Sequence, residues 1–358
     1  MLIYYLLPIF SFIGYIISIT NKENKTLSFF YFIFLLFLFI LIAGFRNEHV
    51  SRDYENYVDF FNKINDGDTV SVIDDPGFYY IIKFVKLFSN KYAYLFFIYA
   101  LLGVSFKFFS IIRISGISGA FLAIMVYSSN FFFLHEMTQI RIGVATGIFL
   151  ISIKYIVEQD FFRFLLCVAL GTFFHLSLII VLPLYFINYK SIKPIFWVSL
   201  IVINLLFYIS KFSILNILNL FSPAYFSEKI YVYKTFMLDS NDTTNIGIFN
   251  RFLLYLILNL FLLYNWRILK DKSKYFIFLL KCSFISLSIA FFLYDFYLFA
   301  YRFSEIIGVV QICLFSMIAY LFRDKIIGSI VVLLLSLFLI LVNITLTGLL
   351  QNYKFIKF

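Results

Sequence analysis

The segment 27–45 carries no charged residue. A helix of about 20 apolar residues is what the hydrocarbon core of a bilayer demands of a chain that crosses it. Similar runs recur at 2–19, 92–112, 117–134, 141–157, 196–210, 248–269, 275–294, 297–322 and 326–346. Together they predict an all-α, polytopic integral membrane protein with about ten spans in a single transmembrane domain, 1–358. The first run has no basic leader and no small-residue cleavage pattern, so it reads as a span and not as a cleaved signal. Charged residues make up 13% of the chain and hydrophobic ones 63%, too little polar surface to cover a water-soluble globule. Soluble enzymes and nucleic-acid binders are thereby excluded. The net charge of +10 reads as the basic bias of loops facing one side of a membrane. Cys167, Cys282 and Cys313 lie inside apolar runs, without the spacing of a disulfide framework or a metal site.

Basic residues gather at Lys22/Lys25, Lys107/Arg113, Lys154/Arg163, Lys190/Lys193, Arg267/Lys270/Lys272/Lys274 and Arg323/Lys325. Placing all of them inside puts both termini outside and leaves two long extracytoplasmic loops, 46–76 and 211–247. The first is rich in acids, from Glu48 and Asp53 to Asp74 and Asp75. One run resists this scheme. If 161–187 crossed once, every later cluster would flip, so it is predicted to be a broken hairpin turning near 171–177. Irregular backbone at membrane depth is tolerated where it is buried in protein or lines a wet cavity, which marks the turn as a site. The stretch 77–91 is predicted to be an amphipathic helix at the outer surface.

Charge inside apolar runs is costly and points to function. Arg46 ends the second run: it is an interfacial anchor or an anion contact beside the Asp53–Tyr57 loop. Arg141 opens a helix with a small-residue face, Gly143, Ala145 and Gly147, and has Glu136 and Gln139 nearby. His175 sits at the inferred break, either as a hydrogen-bonded prop or as a group that takes a proton near neutrality. Arg302 follows the turn near Asp295 and either pairs with Glu305 three residues on or joins Arg46 and Arg141 at one outer level. Guanidinium forks match phosphate oxygens, so three of them suit a ligand with two or more negative charges, such as a diphosphate on a lipid carrier.

The order of Gly44-Phe45-Arg46 with Asp53/Tyr57, Asp75-Pro76-Gly77-Phe78, Gln139-x-Arg141-x-Gly143, Phe174-His175-x-Ser177 and Tyr301-Arg302 resembles the EpsG family. Its members are regarded as Wzy-type repeat-unit polymerases of exopolysaccharide and O-antigen clusters. The resemblance runs to about Phe322, and the tail beyond carries no signal. Such proteins usually have Glu or a similar acid before the Gly-Phe pair; here Asp75-Pro76 stands there. The resemblance implies transfer of a glycan from undecaprenyl diphosphate to another lipid-linked oligosaccharide. The reaction is placed on the outer face of the cytoplasmic (inner) membrane, with inversion, in an architecture similar to GT-C-like glycosyltransferases. The products would be O-antigen (lipopolysaccharide), capsule or exopolysaccharide, and a chain-length regulator would be a partner. No cofactor is expected and no metal, although the Asp74/Asp75 pair leaves a metal reading open.

The residues then divide by role. Arg46, Arg141 and Arg302 are expected to hold the diphosphate, and His175 to be the base with Asp53 or Glu136 in reserve. Tyr57, Gln139, Tyr301 and Glu305 are expected to contact the glycan. A flippase of the same lipid-linked glycan would also use buried arginines and a broken helix, and a glycan ligase is a further rival. The lack of an internal repeat and the outer position of the polar residues favour the polymerase.

Overall fold

The structure, a computed structural model, describes residues 1–21, 25–64, 75–210, 244–294, 297–347 and 351–356. Asp74, Asp295 and nearly all of the expected loop 211–247 lie outside the described residues. Among those described, the chain is helical, with one isolated bridge between Arg46 and Phe355.

Helices α1 (Leu2–Thr20) and α2 (Lys25–Gly44) are apolar on all sides, as lipid-embedded helices are. Helices α3 (Tyr54–Lys63) and α4 (Pro76–Lys86) are short and amphipathic, so the helix expected within 77–91 is present. The chain then enters α5 (Ala93–Ser129), which is broken at Gly116 with φ 67° and ψ 174°. Only glycine adopts that backbone freely. The two limbs of α5 fold against each other: Phe108 on the first meets Tyr127 on the second at 6.2 Å, and both rings pack on Phe39 of α2. The expected segments 92–112 and 117–134 are therefore the two limbs of a helical hairpin.

The second limb ends early, at Ser129, and runs into a π-helical stretch, Phe132–Thr138. That stretch closes with the Gln139 N–H on Leu134 O, 2.7 Å. π-turns of this kind are uncommon and collect at functional sites. Helix α6 (Ile140–Val157) follows, then α7 (Phe161–Phe174). After α7 the chain turns through His175 and winds into a 3₁₀ stretch, Leu176–Phe186. It folds back: the Tyr185 ring lies 5.0 Å from Phe161 and 5.2 Å from Phe164, at the far end of α7. The break inferred in 161–187 thus falls at His175.

Helices α8 (Pro194–Ile209), α9 (Thr244–Tyr264), α10 (Phe276–Phe292), α11 (Tyr297–Gly308), α12 (Gln311–Ser316) and α13 (Lys325–Thr347) complete the bundle. The expected span 297–322 is bent by 53° after Gly308. Among the described residues five helices are long and apolar enough to cross a membrane, or six with that bent pair counted as one. Hydropathy leads to an expectation of ten full spans; several of the other apolar runs form helices with 10–17 described residues. The break at Val309–Val310 divides the run 297–322, which hydropathy alone reads as continuous, while those at Gly116 and His175 fall where the sequence places a turn.

Two buried ion pairs fasten the interior. Lys107 Nζ donates to Glu136 Oε1 and to Gly143 O, each at 2.5 Å. Arg251 on α9 donates to Glu305 on α11 at 2.8 Å. Lys107 is fully buried, so it is a structural cation and not one of the loop charges that report sidedness. Around the second pair, Asn343 Nδ2 donates to Ser129 O at 2.9 Å and Gln311 Nε2 to Ser283 Oγ at 3.0 Å.

Removing one member of a buried pair leaves an uncompensated charge, at a cost of about 3–5 kcal/mol. Glu136→Gln is expected to lower the unfolding midpoint in detergent accordingly, and Lys107→Met combined with Glu136→Gln to restore much of the loss. Equal midpoints for wild type and Glu136→Gln would contradict a structural role for the pair.

Candidate functional site

Asp75 occupies the position before α4, but its side chain does not cap that helix. It reaches across to two other segments. Oδ2 accepts from Arg141 Nη1 at the start of α6 and from His175 Nδ1 at 3.3 Å, while Oδ1 accepts from the Leu176 N–H at 3.1 Å. The side chain is 7% exposed. The residues after it make the approach possible. Pro76 supplies a helix-ready φ at the first turn. Gly77 lets α4 close on the end of α7, since a Cβ there would stand 2.8 Å from Phe173 O. Phe78 lies 5.3 Å beneath the Arg141 guanidinium, with Tyr57 of α3 at 5.7 Å.

His175 has extended backbone, φ −156° and ψ 112°, between α7 and the 3₁₀ stretch. Its N–H donates to Gly171 O at 2.9 Å. With the Asp75 carboxylate as acceptor, Nδ1 carries the hydrogen and Nε2 presents its lone pair. Nε2 is buried and makes no hydrogen bond among the described residues. Asp75, His175 and Arg141 thus form a chain of a carboxylate, an imidazole with a free basic nitrogen, and a guanidinium.

A second group of charges lies beside it. Arg46 follows α2, and its guanidinium folds back so that Nη1 donates to Ala43 O at 2.5 Å. The same guanidinium lies 4.7 Å from the Phe96 ring and 5.4 Å from Tyr54. Asp53, at the head of α3, feels Arg302, Arg141, Arg52 and Arg46. Burial pushes its carboxyl above the usual range, while these four cations pull it down. Arg302 is exposed and Arg46 fully buried.

The backbone around Arg46 is held by the segment after α13. Asn47 N–H donates to Lys354 O at 2.8 Å, Ile356 N–H to Phe45 O at 2.9 Å and Gln351 N–H to Val50 O at 3.1 Å. The Tyr353 hydroxyl donates to Ile42 O and the Tyr4 hydroxyl to Gln351 O, both at 2.9 Å.

Of the other expected residues Tyr57 adjoins Arg141, while Glu136, Tyr301 and Glu305 engage other charges. Glu136 faces Lys107 between Gly103 and Gly143, where a Cβ at Gly143 would meet its Oε2 at 2.9 Å. Gln139 links the π-turn to α6, with Oε1 buried and unbonded among the described residues. Tyr57 is buried beside Arg141. Tyr301 lies 4.8 Å from Arg251, and Glu305 bonds Arg251 instead of pairing with Arg302. No group of three or more His, Cys, Asp or Glu side chains able to hold a metal occurs among the described residues. Sequence reasoning passed over Asp75 as an organiser and Arg251 altogether. The signal for Arg251 was present, a charge within the apolar run 248–269. For Asp75 it was only an acid ahead of Pro-Gly.

Tyr353→Phe deletes the hydroxyl bond to Ile42 O and should lower stability by about 1 kcal/mol, read from thermal unfolding in detergent. An unchanged melt would show that the 351–356 segment does not brace the Arg46 turn.

The EpsG family model matches residues 28–358. The match takes in the tail beyond Phe322, where the sequence alone showed no resemblance, and starts after α1, within the first turn of α2. Neither the curated proteins nor the solved structures contain a match. The pattern of motifs from Gly44-Phe45-Arg46 to Tyr301-Arg302, set in a helical membrane protein and matched over nearly its whole length, leads to one conclusion: the chain belongs to the EpsG family of Wzy-like polymerases.

Proposed function

We propose that this protein polymerises undecaprenyl-diphosphate-linked oligosaccharide repeat units by inverting glycosyl transfer at the outer face of the cytoplasmic membrane, without a metal or other cofactor. The observation that carries this reading is the Asp75 carboxylate that joins Arg141 to His175, whose Nε2 is buried and unbonded among the described residues. Family membership supports the class of reaction.

In the proposed step an acceptor sugar hydroxyl attacks the anomeric carbon of the donor glycan. The hydroxyl proton passes to His175 Nε2 as the new C–O bond forms. The bond from the anomeric carbon to the diphosphate oxygen breaks, and undecaprenyl diphosphate leaves with the electron pair. Arg141, Arg302 and Arg46 hold the departing charge, as preorganised donors do most effectively in a dry site. Asp75 orients the imidazole and stabilises the imidazolium that forms. Asp53 is the second acid at the site, and Glu136, bonded to Lys107, serves the frame. Tyr57 and Gln139 border the glycan side, with Tyr301 and Glu305 further along α11. The product serves as O-antigen, capsule or exopolysaccharide, with a chain-length regulator as partner.

Purified protein in liposomes, given a lipid-linked repeat unit, should produce a ladder of longer glycans. Translocation of the lipid without elongation would contradict the reading. Arg141→Lys keeps the charge but loses the fork, and should slow elongation roughly 10–100-fold. His175→Gln and Asp75→Asn should each cost about 10²–10⁴-fold, the scale of a general base, with binding of the lipid-linked unit retained. Near-normal ladders from either variant would remove His175 from the chemistry.

Sidedness has its own test. A cysteine replacing exposed Glu48 should react with an impermeant reagent added outside the cell, and one replacing Lys272 only after permeabilisation. The reverse pattern would invert the proposed orientation.

A further inference from the structure

The end of the bundle away from Arg46 contains a cavity of about 770 Å³ that the proposed reaction does not use. Its position follows from the helices that build it. Tyr15, Ser18 and Ile19 come from the end of α1, while the start of α1 lies against the 351–353 segment at the Arg46 end. Ser115 to Gly119 form the break between the limbs of α5, and Ala319 to Lys325 form the turn into α13.

The lining has two kinds of surface. Ile19, Ile117, Ile268 and Phe322 form apolar walls, and Lys272, Arg323 and Lys325 supply three cations. Among the described residues no carboxylate lines it. The adjacent Asp324 is turned toward α13, where Oδ1 accepts the N–H groups of Ile326 at 2.7 Å and Ile327 at 3.3 Å. The α5 break leaves room on this side: a Cβ built on Gly116 would meet nothing within 4 Å. Its positive φ is therefore a requirement of the turn and not of packing.

We propose that this cavity binds a phosphate-bearing anion, with the phosphate held by Lys272, Arg323 and Lys325. The observation behind it is a cation-lined cavity whose walls are apolar, a combination that suits a phosphate attached to a less polar body. Two sources share that chemistry, an anionic phospholipid headgroup and a soluble phosphate. A basic pocket between membrane helices at a basic end favours the headgroup. The inference does not depend on the proposed polymerase reaction.

Native mass spectrometry of the full chain in detergent tests it, with phosphatidylglycerol, phosphatidylcholine and inorganic phosphate as separate probes. Phosphatidylglycerol should bind roughly tenfold or more tightly than phosphatidylcholine. Combining Lys272→Gln, Arg323→Gln and Lys325→Gln should abolish the preference. Ser118→Trp fills the cavity without changing its charge and should weaken the same binding. If inorganic phosphate binds with this dependence on the variants and the phospholipid preference is absent, the occupant is a soluble phosphate. If neither probe distinguishes wild type from the triple variant at matched thermal stability, the site does not exist.

Discussion

The carboxylate of Asp75 ties together three parts of the chain that are far apart in sequence. A buried acid in apolar surroundings is costly unless each oxygen finds a donor, and here the donors come from α6 and from the turn after α7. The requirement works in both directions. The acid needs Arg141, His175 and the Leu176 N–H, and these in turn are fixed by it. Because α4 delivers the acid, the two short amphipathic helices are built into the site. The broken turn at His175 is stable because its N-terminal donors are answered: one N–H goes to Gly171 O and the next to Asp75.

Two further polar contacts hold the frame on which that site rests. Lys107 and Glu136 clamp the first limb of α5 to the π-turn just before α6, which sets where Arg141 emerges. Arg251 and Glu305 clamp α9 to α11, one turn from Arg302. Neither pair faces Asp75, yet each lies next to a segment that carries one of the arginines. The stretch 351–356 does the same for Arg46 through backbone hydrogen bonds. The segments that carry Arg46, Arg141 and Arg302 are thus each braced by a different part of the fold.

The sequence made some of this legible and hid the rest for physical reasons. Arg46, Arg141 and His175 stood out because a charge or imidazole in an apolar run is expensive and must be explained. The hairpin at His175 was inferred from sidedness, and the chain does turn back there. Hydropathy measures composition and is blind to a 53° bend or to where a helix ends, so the long apolar helices among the described residues number five or six against the ten runs read from the sequence. Lys107 was read as a loop charge because its partner, Glu136, lies 29 residues away. Asp75 was read as half of an acidic pair in a polar loop, since an acid before Pro-Gly is an ordinary helix start. Its partners are 66 and 100 residues away, and no local pattern reports a contact that long. The stretch 351–356 carried no periodic signal because it acts mainly through backbone hydrogen bonds, with the Tyr353 hydroxyl as an added contact.

In the proposed reaction the charges around Asp53 and Asp75 form one glycosyl-transfer site. The most direct measurement is the structure of the protein bound to a lipid diphosphate carrying one repeat unit. The account predicts diphosphate oxygens within hydrogen-bonding distance of Arg141 and Arg302, with a sugar hydroxyl facing His175 Nε2. A diphosphate seated elsewhere in the molecule, with His175 facing only protein, would contradict it.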